Sequence, residues 1–152
     1  MLPLEMKTNP FLIKIHYLFW LVSALMLLLA YKYGTAPVAD NIMIIDVYDF
    51  YFVIEILHFA LFLALFYFLL GFGYWLVKRV KGRLNSVLTY VHVSIMFGSL
   101  LAYGIALVTQ SSATNSILVI CISAIVFIAQ PIYVINLMVG IFNWRKDRKI
   151  RL

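Results

Sequence analysis

The sequence predicts an all-α integral membrane protein, a bundle of four transmembrane helices. Three observations carry that expectation. Of the 152 residues, 65% are hydrophobic and 12% are charged, whereas soluble domains hold about 45–50% apolar and about 25% charged residues. Four apolar runs each reach the roughly 20 residues that cross a bilayer as a helix. The basic residues, which set a formal net charge of +6, gather in short clusters beside those runs. That pattern fits membrane topology and anionic lipid rather than nucleic acid.

The first run spans about 11–31. Lys7 and Lys14 flank its start as in a signal peptide, but its aromatic content favours a retained anchor. The loop from Lys32 to Asp46 holds Gly34 and Pro37 and no catalytic constellation. The second run, about 47–77, and the fourth, about 117–144, exceed the length needed and should tilt or protrude. The third run, about 86–108, repeats a small residue every fourth position, at Ser94, Gly98, Ala102 and Ala106. Such a stripe lets a neighbouring helix approach closely; the expected neighbour is in this chain, the alternative a second chain. In the fourth run, Gln130 precedes Pro131, whose ring removes a backbone hydrogen bond and should kink the helix. Gln130, Tyr133 and Asn136 follow at spacing three, one polar stripe suited to interhelical hydrogen bonds or, alternatively, to a ligand or quinone site. The whole chain, 1–152, reads as one transmembrane domain.

Orientation follows from the basic residues. Lys78, Arg79, Lys81 and Arg83 lie between runs two and three, and Arg145, Lys146, Arg148, Lys149 and Arg151 follow run four. The other two loops hold only Lys32, with Asp40 and Asp46. Both termini and the basic loop are therefore expected in the cytoplasm, the protein lying in a bacterial inner membrane. Tyr31, Tyr33, Tyr48, Trp75 and Trp144 fall near the interfaces, as an aromatic belt would.

The chemistry-bearing residues are few. The sole cysteine, Cys121, lies in an apolar run and reads as a small hydrophobe. No Cys/His cluster has metal-ligand spacing, and no Gly-rich phosphate loop or Gly-x-Ser-x-Gly elbow occurs. These absences argue against a zinc enzyme, a nucleotide enzyme or a hydrolase. Glu55 and His58 stand out, because ionisable groups inside an oily run are costly. Three residues apart, they share a helix face. They read as a proton-labile pair, with Tyr48, Tyr51 and Tyr90 as a possible extension, or as a hydrogen bond that fixes helix packing.

The stretch Asp49 to Phe62 resembles helix ten of subunit I of the haem-copper oxidases, which include cytochrome c oxidase. That family typically reads Asp-Thr-Tyr-Phe-Val-Val-Ala-His-Phe-His-Tyr-Val-Leu. Asp49, Tyr51, Phe52, Val53, His58 and Leu61 match in register. The segment Leu84-Asn85-Ser86-Val87-Leu88-Thr89-Tyr90-Val91-His92 looks like the Leu-Asn-Glu-x-Leu-x-x-Ile-His start of helix eleven, and Gly98 also falls in place. Run four would be the analogue of helix twelve, so the resemblance covers roughly Asp46 to Asn143. It implies that His58 stands where the family ligates its low-spin haem, and that Ile56 replaces the axial ligand of the oxygen-reducing haem. The helices carrying the partner histidine and the copper ligands have no counterpart. The resemblance thus implies a reduced, non-catalytic relative.

A b-type haem is the one cofactor weighed, beside the leading expectation of none. At 1.5 Å of rise per residue, His16 lies about 9 Å and His92 about 12 Å from the cytoplasmic side, and His58 about 15 Å from the other side, near mid-membrane. Depth pairs His16 with His92, whereas the family match points to His58. Without haem, His16 would reach the headgroups and His92 would be hydrogen-bonded in the bundle. The leading expectation is an accessory or structural subunit of a membrane assembly of respiratory type, partnered by lipid and other membrane subunits, with no catalytic or metal-binding residues. A bis-His electron-transfer cytochrome and a small proton-coupled transporter centred on Glu55 are the alternatives.

Overall fold

The computed structural model describes residues 10–35, 42–47, 50–109 and 112–149. The elements run α1 (Pro10–Gly34), β1 (Ile42–Val47), β2 (Phe50–Glu55), α2 (Ile56–Arg79), α3 (Ser86–Thr109) and α4 (Ser112–Lys149). All four helices contain a stretch long and apolar enough to cross a membrane. Pro10 opens α1, where its missing N–H is no loss. At the other end Thr35 donates its hydroxyl to the Lys32 carbonyl at 2.9 Å, taking up one of the acceptors a helix terminus leaves free.

The second run differs from expectation. Val47 and Phe50–Glu55 are not helical: β1 and β2 form an antiparallel hairpin, with Val47 opposite Phe50 and Ile42 opposite Glu55. The reason lies in side-chain type. Ile42, Ile44, Ile45 and Val47, then Phe50 to Ile54, are almost all β-branched or aromatic, the residues that pack best on a pleated strand. A continuous apolar run carries no period to separate strand from helix. Helix α2 therefore starts at Ile56, and the excess length of the second run is taken up by strand. The excess of the fourth run remains helix. At 38 residues, α4 measures about 57 Å, nearly twice a hydrocarbon core of about 30 Å.

Helices α1 to α4 run up and down in turn. Ser23 donates to the Ala64 carbonyl at 2.8 Å, while Phe19, earlier in α1, stacks on Tyr74, later in α2, at 5.6 Å. Tyr67 donates to the Met96 carbonyl at 3.1 Å, and Tyr74 meets the earlier His92, so α3 runs against α2. Asn136 with Thr89 and Tyr133 with His92 give the same antiparallel sense to α3 and α4. The core, built around Phe19, Tyr67, Leu70, Tyr74, Val93 and Met96, sits in the half of the bundle nearest the α2–α3 turn.

That turn is locally encoded. Val80, Lys81 and Gly82 donate back to the carbonyls of Leu76, Lys78 and Val77, closing the end of α2, with Lys81 in the left-handed region at φ 57°. Asn85 then caps α3, its Oδ1 accepting from the N–H groups of Val87 at 2.9 Å and Leu88 at 3.3 Å. A Cβ on Gly82 would lie 2.6 Å from the Gly140 carbonyl oxygen, so the turn rests directly on α4.

Close approach uses glycines other than the predicted stripe. A Cβ on Gly71 would meet the Trp20 indole at 2.6 Å, and one on Gly73 would run into the Tyr133 hydroxyl. Ser94 and Gly98 are instead exposed, and nothing lies within 4 Å of a Cβ on Gly98. Ser94 and Gly98 thus make no internal contact and lie on the outward side of α3, because Thr89, His92, Val93 and Met96 turn the opposite side inward, while Ala102 is half-buried. The side chain of Ala106 lies outside the described residues. Cys121 is exposed on the outward side of α4.

Candidate functional site

Among the described residues, three places carry polar chemistry: the start of α2, a ring cluster around His92, and a cleft between α2, α3 and α4.

Glu55 is the last residue of β2 and His58 lies in the first turn of α2. His58 Nδ1 and Glu55 Oε2 are 2.6 Å apart, with the side chains 74% and 45% exposed. The pair exists, but the expected depth does not. With Phe50–Glu55 in strand, His58 sits near the helix terminus rather than at mid-bundle. The tyrosines proposed to extend the pair do not gather there. Tyr51 is exposed on β2, Tyr90 is exposed near the start of α3 at the other end of the bundle, and Tyr48 lies outside the described residues.

The ring cluster is the most enclosed polar site. The Tyr74 hydroxyl and His92 Nδ1 are 2.9 Å apart. Phe19 and Tyr133 stack on His92 at 6.0 and 5.0 Å between ring centroids. Phe19 also packs on Tyr67 and Phe97. His92 Nε2 and Trp20 Nε1 are sealed and have no partner among the described residues. His16 is 2% exposed, its ring against Tyr17 and Trp20. It therefore does not reach outward to headgroups, because α1 turns this side onto Gly71 of α2.

These residues do not fit a haem. Aromatic rings cover His92, its Nδ1 is engaged by Tyr74, and Phe19, one turn on from His16, fills the space a macrocycle would need. His58 offers no alternative partner. From His58 to the level of Tyr74 and His92 is about 24 Å along α2 at 1.5 Å per residue.

The α4 polar stripe makes interhelical hydrogen bonds. Tyr133 donates to the Leu70 carbonyl at 3.0 Å. Asn136, fully buried, donates to Thr89 Oγ1 at 2.7 Å and accepts from the Asn85 N–H at 2.9 Å. Gln130 donates through Nε2 to the Val126 carbonyl at 2.8 Å, with Met96 Sδ at 3.5 Å. Pro131 lies within a helix that runs on without interruption, and the Gln130 amide bonds back one turn beside it. The spacing of the stripe signals these contacts in the sequence; Gly73 and Gly71, which receive Tyr133 and Trp20, carry no such signal.

Above this floor opens a cleft of about 450 Å³, walled by α2, α3 and α4. Phe59, Phe62, Phe66, Tyr67, Tyr103 and Phe127 supply an aromatic lining, and Ser99 and Gln130 also face it. Its volume lies within the roughly 300–1,000 Å³ of small-molecule sites. Gln130 is legible in the sequence but the cleft is not, since no local pattern indicates that three helices stand apart there.

Compared with models of known families, with curated proteins and with solved structures, the chain matches none.

Proposed function

We propose that this chain is a membrane-embedded, non-catalytic subunit of a larger assembly, its four helices crossing a bacterial inner membrane with both termini inside. The observation that carries the reading is the hairpin β1–β2. Side chains alternate faces along a strand, yet Tyr51, Phe52 and Val53 are 69%, 55% and 64% exposed. Both faces of β2 therefore present large apolar groups, joined by Ile42 and Ile44 on β1. Among the described residues no third strand joins the sheet, so the outer edges keep unpaired backbone N–H and C=O groups. Although β1 packs on α4, a two-stranded sheet is marginal in water, and hydrocarbon cannot satisfy its edges. A protein neighbour answers both needs.

The respiratory character rests on the resemblance of Asp49–Phe62 and Leu84–His92 to oxidase subunit I. Four interior side chains support a structural role: Tyr67, Tyr74, Tyr133 and Asn136 all bond across helices. Purification from native membranes in a mild detergent tests the subunit reading. The chain is expected to migrate in a stoichiometric complex, and Phe52→Asp or Val53→Asp should release it. A chain that is stable and alone under those conditions overturns the proposal.

A further inference from the structure

The geometry points to the cleft between α2, α3 and α4 as a binding site for an isoprenoid hydroquinone, a flat hydroxyl-bearing ring on a hydrocarbon tail. The inference rests on the bilayer placement proposed above and not on the subunit role. The closed end of the cleft is polar in a specific sense. The Tyr67 hydroxyl is engaged by the Met96 carbonyl. The amide of Gln130 must present its NH₂ to the Val126 carbonyl, because a carbonyl only accepts. That assignment turns the Gln130 Oε1 away as an acceptor, and it takes no partner among the described residues. Nor is it among the sealed, unpartnered atoms, so it keeps access to open space. The Ser99 hydroxyl, also lining the cleft, is likewise unpartnered among the described residues.

An acyl chain in this cleft would leave both groups unsatisfied at membrane depth, where the penalty is not relieved by water. A ring that brings a hydroxyl proton satisfies the Gln130 acceptor, and Ser99 can donate to or accept from a second ring oxygen. The walls suit a ring as well. Phe62 and Phe66 stack at 6.2 Å with planes 8° apart, and the Tyr67 ring stands edge-on to Phe66 at 6.1 Å, offering faces and edges for offset or T-shaped contacts. Phe62 on α2 and Phe127 on α4 line the cleft and are 62% and 79% exposed, so a tail leaving past them meets the bilayer. An acceptor at the floor favours the reduced ring, which has hydroxyl protons, over the oxidised ring, which has none.

The test is equilibrium binding of decylubiquinol, held reduced under argon, and of decylubiquinone to the full chain in lipid nanodiscs. Saturable binding is expected, the quinol about five-fold tighter, the worth of one net hydrogen bond. Gln130→Leu should bring the two affinities together while keeping quinone binding. Ser99→Phe should fill the cleft and remove both. Size-exclusion elution and helical circular dichroism identify folded variants, and Ser99→Ala, expected to weaken both forms two- to five-fold, serves if Ser99→Phe misfolds. Absence of saturable binding to the folded parent overturns the inference. So does equal affinity for both forms in the parent, or full displacement by oleate at equal concentration, which would identify an acyl-chain groove. A chain that proves monomeric yet binds the quinol keeps this inference while losing the subunit role.

Discussion

The hydroxyl of Tyr133 occupies the space that a Cβ on Gly73 would need. Tyr133 reaches that position from α4 to donate to the Leu70 carbonyl at 3.0 Å. The contact joins α2 to α4 across the bundle. It depends on one residue having no side chain and on another having a hydroxyl of the right reach.

Gly73→Ala should therefore expel the Tyr133 ring and lose its hydrogen bond. Overpacking of this kind costs about 1–3 kcal/mol, read as a lower midpoint in detergent unfolding. Adding Tyr133→Phe should recover part of the loss, since it removes the clashing oxygen. Equal stability of Gly73→Ala and the parent would contradict the contact.

The Tyr74–His92 pair should behave as a coupled unit. Either Tyr74→Phe or His92→Phe leaves a buried polar atom without a partner, which costs about 1–3 kcal/mol. The double variant should be closer to the parent, because replacing both partners by apolar rings removes the orphan. A double-mutant cycle is expected to give a coupling at least as large as the costlier single change, about 1–3 kcal/mol. Strict additivity would show that the two side chains do not interact.

Asn136 holds the start of α3 by accepting from the Asn85 N–H and donating to Thr89. Asn136→Leu should cost about 1–3 kcal/mol and speed amide exchange at Asn85 and Thr89. Asn85→Ala, which removes the cap to Val87 and Leu88, should cost about 1 kcal/mol and fray the same turn. Unchanged exchange in both variants would count against the network.

Glu55→Gln and His58→Phe should leave the fold intact. A surface pair this exposed contributes about 0–1 kcal/mol, and unfolding midpoints should shift accordingly little. A collapse of either variant would mean that the pair is covered in the protein's working state, which native-membrane complexes of the same variants would reveal.

Haem loading should fail for a steric reason. The Phe19, Tyr74 and Tyr133 rings around His92 leave no slot for a macrocycle, so titration with hemin should give no saturating Soret band. A bis-His spectrum lost in His16→Ala and His92→Ala would overturn that packing.

What the sequence determined by itself is what depends on composition and short spacing. The four apolar helices follow from residue totals and run lengths. The α2–α3 turn follows from Lys81-Gly82 and the Asn85 cap, which act over a few residues. The Gln130, Tyr133 and Asn136 stripe follows from a period of three. Tertiary structure decided everything that depends on which apolar neighbour a side chain meets. Whether Phe50 to Ile54 form strand or helix was open to both, because an unbroken apolar run has no period. That choice moved Glu55 and His58 from mid-bundle to a helix end. A stripe of small residues can face inward or outward with equal local logic, and here Gly71 and Gly73 make the close approach while Gly98 does not. The cleft is the clearest case. It exists because three helices that pack closely near the α2–α3 turn stand apart beyond Met96 and Gln130, and a separation between helices is written in no single stretch of chain.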